Sequence, residues 1–352
     1  MAVLPTEYGK SLVYQLIPPV EDFTEFRKTP SAAGAIVLVF SPLNALIRDQ
    51  VINVRESGLK ACILKGDCVA LDVEDAEEEE VHVSFSTAGP LESLKEAVVE
   101  NKKVLKMFKT TEFQHHIRAV VVDEAHFVID WKDFRPSYGK LSILGSIFPK
   151  VPLLGMTATA TRKACREIIE SLSMFDPAEV IGNPDRPNIY FSASTTPDRG
   201  EDNYRTILEP LVQSLKQERE NFPFRVIFGN LETVSSCYNF FSHSMGNDPY
   251  APKDALPKAE NRLFTQFHAQ YPLKEKERII DGLIKGTSKL RLVFATVAFG
   301  VGLDLDFIRQ VIHIGVPYKM EEDFQEAGRA GRDGLPSKAH VFYNAYDISL
   351  AE

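Results

Sequence analysis

The stretch that most constrains this chain is Ala119–His126, read as AVVVDEAH. Val120, Val121 and Val122 form an apolar, β-branched run long enough for a fully buried strand, and the run ends abruptly in Asp123 and Glu124. In open parallel α/β sheets ligands bind at the carboxyl ends of the strands, so adjacent acids there are placed for chemistry. One carboxylate can hold Mg²⁺ while its neighbour orients or deprotonates a water for attack on a phosphate. A lone Asp-Glu pair can equally begin a solvated loop, so the choice rests on the rest of the sequence.

With 352 residues the chain is long for one core and comfortable for two domains. A hydrophobic fraction of 44% and a charged fraction of 25% suit a globular protein. No stretch approaches the length of a membrane span and the N-terminus lacks the blocks of a signal peptide, so the expectation is an intracellular, non-secreted protein with no membrane partner. Cys62, Cys68, Cys165 and Cys237 form no CxxC pair, which indicates neither a disulfide framework nor a zinc module. No zinc is expected.

A net charge of -9 argues against non-specific nucleic-acid binding. Residues 72–80, DVEDAEEEE, however, concentrate seven acids in nine positions. Such a block repels itself into a solvated loop; it reads as an exposed insertion, with an acidic partner-binding or autoinhibitory segment as the other reading. With the block set aside the remainder is nearly neutral, which leaves room for a local basic groove.

At the N-terminus, Ala2 to Leu4 read as the end of a strand, Pro5 to Gly9 as a loop, and Lys10 onward as a helix stopped by Pro18 and Pro19. That is the strand, loop, helix order of a phosphate-binding loop, in which backbone N–H groups and a Lys bind phosphates and a Ser ligates Mg²⁺. Gly9, Lys10 and Ser11 match such a motif, but Leu4 stands at its first Gly and Glu7 in its middle. Alone, GKS could be a helix start with a surface lysine. Ala35 to Phe40 is a second buried-strand pattern, followed by Ser41 and Pro42, which suit a helix start or a phosphate-backbone contact. Val81 to Phe85 alternates as a short strand, 91–109 reads as a lysine-rich helix, and 151–160 as a strand before a helix from Thr161 to Met174. Strand and helix alternate as βαβ units require.

Residues 182–223 look like a passage between domains with one helical stretch, Tyr204 to Glu220. Strands are then expected at Arg225 to Phe228, Leu263 to Phe267, Leu290 to Phe294 and Gln310 to Ile314, with helices near 233–242, 274–285 and 320–328. A loop is expected at 244–259. The segment 295–306, ATVAFGVGLDLD, closes a strand with two glycines and Asp304. In DFQEAGRAGRDG (323–334), Gln325, Arg329 and Arg332 recur at the spacing of one helix face. Arginines aimed at a cleft suit a γ-phosphate transition state because their forked donors match spreading oxygen charge. Gly328, Gly331 and Gly334 are poor choices for an exposed helix and suggest close approach of another surface.

A GKS loop, SPL, DEAH, TAT, VAFGVGLD and QEAGRAGRDG, in that order, resemble the superfamily 2 helicases and specifically the RecQ family of DNA helicases. The RecQ identification rests on HFVIDWKDFRPSY (126–138), which looks like that family's aromatic-rich loop, on MTATAT (156–161) and on AFGVGLD. The match runs from residue 4 to about 345, nearly the whole chain. It implies an α/β fold of two tandem RecA-like parallel-sheet domains, 1–187 carrying the ATP-binding half and 188–352 the C-terminal half, with the nucleotide site in the cleft between them.

By the same resemblance, Thr6, Gly9, Lys10 and Ser11 would bind ATP, with Ser11 and Asp123 holding Mg²⁺ and Glu124 acting as the catalytic base. His126, Thr157 and Thr159 would couple hydrolysis to movement. Asp304, Gln325, Arg329 and Arg332 would complete the site from the second domain. Trp131, Phe134, Arg135 and Tyr138 would sense single-stranded DNA, with Ser41, Pro42 and Arg48 beside them, because aromatic faces stack on bases of any sequence; ordinary core aromatics are the competing reading for Trp131 and Phe134. The implied activity is ATP-dependent 3′ to 5′ movement on single-stranded DNA and unwinding of duplex or branched DNA in repair or recombination, in the nucleus. A non-hydrolysing DNA- or partner-binding remnant of the fold is the alternative.

The sequence departs from the family pattern in several places. The family's upstream adenine-recognising glutamine segment and most of its first strand do not precede Leu4, and no cysteine follows Cys237 to build the family's zinc module; a fragment of a longer product is the expectation. Glu7 replaces a glycine and adds negative charge near polyphosphate, and the spacing from Trp131 to Phe134 is one residue shorter than usual.

Overall fold

The structure is a computed structural model that describes residues 1–5, 8–26, 34–41, 44–64, 83–87, 106–130, 141–196, 201–246, 248–253, 255–299, 305–317, 320–345 and 347. The chain divides into two compact units, Met1–Pro184 and Asp185–Glu352. Each is α/β, built on a parallel sheet.

In the first unit the strands are β1 (Ala2–Val3), β2 (Ile36–Ser41), β3 (Ala61–Leu64), β4 (Val83–Thr87), β5 (Ile117–Val122), β6 (Leu153–Thr157) and β7 (Val180–Ile181), in the order β3-β4-β2-β5-β6-β1-β7. The two-residue period of a strand distributes the central side chains between two cores. Val37, Val39, Ala119 and Val121 meet Tyr14, Val51 and Val54 from helices Lys10–Phe26 and Asn44–Glu56. Leu38, Phe40, Val120 and Val122 point the other way, onto Phe108, Val128, Leu144, Cys165 and Ile168. Both faces are therefore covered, which is why the run before Asp123 is apolar without alternation.

The second unit repeats the logic with β8 (Ile189–Thr195), β9 (Arg225–Phe228), β10 (Phe264–Phe267), β11 (Leu292–Ala295), β12 (Gln310–Ile314) and β13 (Ser337–Tyr343), ordered β10-β11-β9-β12-β13-β8. Val226, Phe228, Val293, Ala295 and Val311 pack with Ile279, Leu283 and Ala327 on one face. On the other, Ile227, Leu292, Phe294 and Ile312 pack with Leu208, Leu211, Leu215, Cys237 and Phe241.

The helix expected to stop at Pro18 runs instead from Lys10 to Phe26, with Pro18 and Pro19 inside it. The prolines lack the N–H groups that would bond the carbonyls of Tyr14 and Gln15. Burial of Tyr14 and Pro18, one helical turn apart, and the packing of Ile17 against the same core offset that loss. The supposed passage at 182–223 contains β8, an edge strand whose outward residues are polar or exposed and whose Ser and Thr content masks it. β3, β7 and β13 were likewise not anticipated, whereas β9 and β12 have the expected bounds. Of the helix expected at 91–109 only residues 106–109 are described, of which 106–108 are helical; the acidic block at 72–80 lies outside the described residues. Among the described residues, no helix is long and apolar enough to cross a membrane.

Phe294 is fully buried in β11 and stacks edge-on against Phe241 at 5.4 Å. Phe294→Ala should cost about 3–5 kcal/mol of stability, read as an earlier urea transition of the second unit; a midpoint within error of the parent would contradict the packing described.

Candidate active site

The carboxyl end of β5 delivers Asp123 and Glu124. The turn is pinned on both sides: Asp123 N donates to Phe40 O of β2 at 2.8 Å and Ala125 N to Met156 O of β6 at 2.7 Å. Asp123 is 4% exposed. One carboxylate oxygen, Oδ1, accepts from Glu124 N at 3.0 Å and the other, Oδ2, from Gln50 Nε2 at 3.1 Å. Burial, followed by the neighbouring Glu124 carboxylate, pushes the Asp123 carboxyl up to about 6, against the opposing pull of Gln50, the Glu124 amide and Lys10. Glu124 has φ 48°, the left-handed region, where a non-glycine residue costs about 1–3 kcal/mol and is held only by its surroundings. Its Oε2 is buried and accepts no hydrogen bond, with His126 Nδ1 3.4 Å away.

The loop before helix Lys10–Phe26 lies beside this end of the sheet because β1 pairs with β6 and Leu4 N donates to Thr157 O at 2.9 Å. Gly9 has φ 72°, and a Cβ there would come no nearer than 3.8 Å to Leu12 Cβ, so backbone conformation rather than space requires glycine. Lys10 Nζ donates to Leu4 O at 3.3 Å. Tyr14, one turn into the helix, is fully buried; burial first, then the Asp123 carboxylate, pushes its phenol well up, while Ser11 opposes the shift. Ser11, Lys10, Tyr14 and Asp123 therefore form one electrostatic neighbourhood.

His126 Nδ1 lies 2.9 Å from Thr157 Oγ1, and the Thr157 hydroxyl donates to Thr159 O at 3.1 Å. Thr159 N also donates to Thr157 Oγ1, at 3.4 Å. The DEAH and TAT segments are thus joined directly.

In the second unit Gln325 belongs to helix Met320–Ala327, but Arg329 and Arg332 do not. The single helical face expected for all three is corrected: the helix ends at Ala327, the arginines lie in the turn that follows, and Gly331 with φ 60° has left-handed backbone. Gly331 is also closely approached, since a Cβ there would sit 2.6 Å from Asn188 Nδ2 and 2.7 Å from Ser337 Oγ. Arg329 is 6% exposed. Behind the helix, His313 at the end of β12 is held between two carboxylates, Glu326 Oε2 at 2.7 Å from Nε2 and Asp323 Oδ1 at 3.3 Å from Nδ1.

Ser41 ends β2 fully buried, its Oγ with no hydrogen-bond partner. Arg48 lies within helix Asn44–Glu56. Thr6, Glu7, Pro42, Trp131, Phe134, Arg135, Tyr138 and Asp304 fall outside the described residues. Sequence reasoning missed Gln50, Tyr14, the His313 cluster and the Arg186 and Asn188 contacts to the arginine turn. Gln50 stands 73 residues from Asp123 and Arg186 142 residues from Gly328, separations over which no local pattern signals a contact.

Among the described residues no three His, Cys, Asp or Glu side chains cluster as a metal cage. Mg²⁺ accompanying a nucleotide needs only one or two carboxylates, with phosphates and water completing the shell. Asp123 and Ser11 fit that requirement: a desolvated carboxylate held in place by Gln50, with the first turn of a helix beside it.

Two family descriptions match the chain, DEAD/DEAH box helicase over residues 1–168 and helicase conserved C-terminal domain over residues 237–334. ATP-dependent DNA helicase Q-like 2 of Arabidopsis thaliana is 27% identical over 99% of this chain and 45% of its own length. The mouse bifunctional 3′-5′ exonuclease/ATP-dependent helicase WRN is 30% identical over 100% of this chain and 22% of its own, and ATP-dependent DNA helicase RecQ of Pasteurella multocida 29% over 99% and 48%. The chain thus spans half or less of the length of these curated relatives. Solved structures share the fold: the helicase MrfA bound to DNA and AMPPNP has a TM-score of 0.67 at 19% identity, covering 99% of this chain and 47% of that one. The Mycobacterium smegmatis helicase Lhr bound to ssDNA and AMP-PNP has 0.63 at 20%, covering 98% and 44%. The two units share the RecA-like fold of those structures. The chain carries DEAD/DEAH box helicase and helicase C-terminal domains and is similar over nearly its whole length to RecQ-type DNA helicases.

Because the folded Asp123 carboxyl titrates above its usual value near 3.8, the native state binds its proton more tightly than the unfolded chain, and stability falls as pH rises from about 4 through about 6. Asp123→Asn removes this penalty, and Gln50 can turn its amide so that Oε1, which has no partner, accepts from the new Nδ2. The variant should melt higher than the parent at pH 7.5, with the gap closing toward pH 4; a gap independent of pH, in parallel thermal melts, would contradict the assignment.

Proposed function

We propose that this chain is the motor portion of an ATP-dependent DNA helicase, which couples ATP hydrolysis to 3′ to 5′ movement along single-stranded DNA and to unwinding of duplex or branched DNA. Repair or recombination of nuclear DNA is the setting that the family resemblance implies. The observation that carries the reading is the end of β5, where the buried Asp123 is fixed by Gln50 and the adjacent Glu124 has a carboxylate oxygen with no hydrogen-bond partner.

The backbone amides at the start of helix Lys10–Phe26 and the Lys10 ammonium receive the β and γ phosphates, with Thr6 and Gly9 as further nucleotide-binding residues. Mg²⁺, when bound at Asp123 and Ser11, neutralises phosphate charge. Glu124 Oε2 accepts a proton from the attacking water as its oxygen bonds to the γ-phosphorus and the bond from that phosphorus to the ADP oxygen breaks. Gln325, Arg329 and Arg332, with Asp304, supply the second unit's contacts to the phosphoryl group, the guanidinium donors matching charge that spreads over its oxygens. His126, tied to Thr157 and through it to Thr159, carries the change at the phosphates toward β6. Ser41, Pro42, Arg48, Trp131, Phe134, Arg135 and Tyr138 are the proposed DNA contacts.

ATP turnover measured with and without single-stranded DNA tests the reading. DNA should stimulate turnover, and Lys10→Ala and Glu124→Gln should each reduce the stimulated rate by roughly 10²-fold or more. Background turnover indifferent to DNA and to both changes would identify a non-hydrolysing relative instead. Arg332→Ala should lose turnover to a similar degree while holding single-stranded DNA as the parent does, in a fluorescence-anisotropy titration; a parallel loss of DNA binding would move Arg332 out of the phosphate site.

A further inference from the structure

The turn that carries Arg329 and Arg332 begins where helix Met320–Ala327 ends, so the helical ladder no longer orders it. Backbone bonds from Arg329 N to Glu326 O, Ala330 N to Ala327 O, Gly331 N to Ile308 O and Gly334 N to Gly331 O hold part of it, and side chains from the first residues of the second unit add to them. The Arg186 guanidinium donates from Nη1 to Gly328 O at 3.1 Å and from Nη2 to Ala330 O and Gly331 O, each at 3.2 Å. One rigid planar group thus grips the carbonyls on both sides of Arg329. Asn188 Nδ2 donates to Gly331 O at 2.7 Å and to Leu335 O at 3.2 Å, closing the far side of the turn.

The strand that follows locks this arrangement in place. Ser337 N donates to Asn188 O at 2.9 Å, β8 pairs with β13 along its whole length, and the Phe191 ring stacks on Phe324 of the helix with centroids 6.3 Å apart and planes at 4°. Gly331, with left-handed backbone and no room for a Cβ against Asn188, is shaped to receive the contact. The clamp lies just past the boundary at Pro184, in the segment by which the chain leaves the first unit.

We propose that Arg186 is a positioning residue for the catalytic arginine turn: by fixing the backbone on either side of Arg329, it sets where the guanidinium groups of Arg329 and Arg332 stand when ATP is hydrolysed. The inference rests on the helicase reading above. A lysine cannot replace it, because a single ammonium lacks the planar fork that reaches three carbonyls. Displacing a catalytic group by about 1 Å is enough to cost on the order of 10²-fold in rate.

The test is DNA-stimulated ATP turnover by the full chain, as parent, Arg186→Ala, Arg186→Lys, Arg329→Ala and the Arg186→Ala, Arg329→Ala pair, with KM for ATP and single-stranded DNA affinity measured for each. Both Arg186 variants should lose about tenfold or more in kcat while KM and DNA affinity stay within about threefold of the parent. The paired variant should be no slower than Arg329→Ala alone, because Arg186 acts through the turn. A kcat within twofold of the parent for Arg186→Ala, full rescue by lysine, or independent, multiplying losses in the pair would overturn the proposal. Should Arg186→Ala fail to fold, Asn188→Ala, which removes one side of the clamp, is expected to lower kcat severalfold at unchanged KM, and parental kcat there overturns it equally. Absent stimulation in the parent, or full activity of Arg329→Ala, would defeat the helicase reading itself and this inference with it.

Discussion

Asp123 is a carboxylate at the end of a strand whose two faces are both covered, and at 4% exposure it is almost wholly desolvated. Such a group is costly unless something fixes and partly neutralises it. Here the Gln50 amide and the Glu124 N–H each occupy one oxygen, and the turn is bonded to strands on both sides. The same desolvation that lifts its titration prepares it for a cation, because a charge in low dielectric attracts a counter-charge far more strongly than one in water. The strained backbone of Glu124 and the tie from His126 to Thr157 and Thr159 follow from the same requirement: acids at a buried strand end must be held by neighbours rather than by solvent.

The second unit solves the opposite problem. Its cationic groups sit in a turn past the end of a helix, where side chains from Arg186 and Asn188 supplement the turn's few backbone bonds. His313 does a related job from beneath, bridging Asp323 and Glu326 on successive turns of the helix that leads into the turn. Phe228 stacks on the imidazole with ring centroids 5.5 Å apart.

Much of this was legible in the sequence, and the limits have physical causes. Strands buried on both faces announce themselves as apolar runs, so β2, β9 and β12 could be placed to within a residue, and β5 at its carboxyl end. Edge and half-covered strands such as β8, with IYFSAST, look like loops because half of their side chains face away from the core. Pro18 and Pro19 misled because local propensity was weighed without the packing that overrides it. In the candidate site, Lys10, Asp123, Glu124 and the arginines were visible as motifs, but their partners were not: Gln50 grips Asp123 across the sheet and Arg186 grips a turn over a hundred residues away. Periodicity also placed Arg329 and Arg332 on a helix that Gly328 and Gly331 do not continue.

Gly331 and Asn188 also constrain how such a chain can drift. With the amide nitrogen 2.6 Å from where a side chain would begin, any residue larger than glycine must displace Asn188, and the left-handed backbone penalises the newcomer even if it does. The shape of the turn therefore depends jointly on two positions 143 residues apart in the chain.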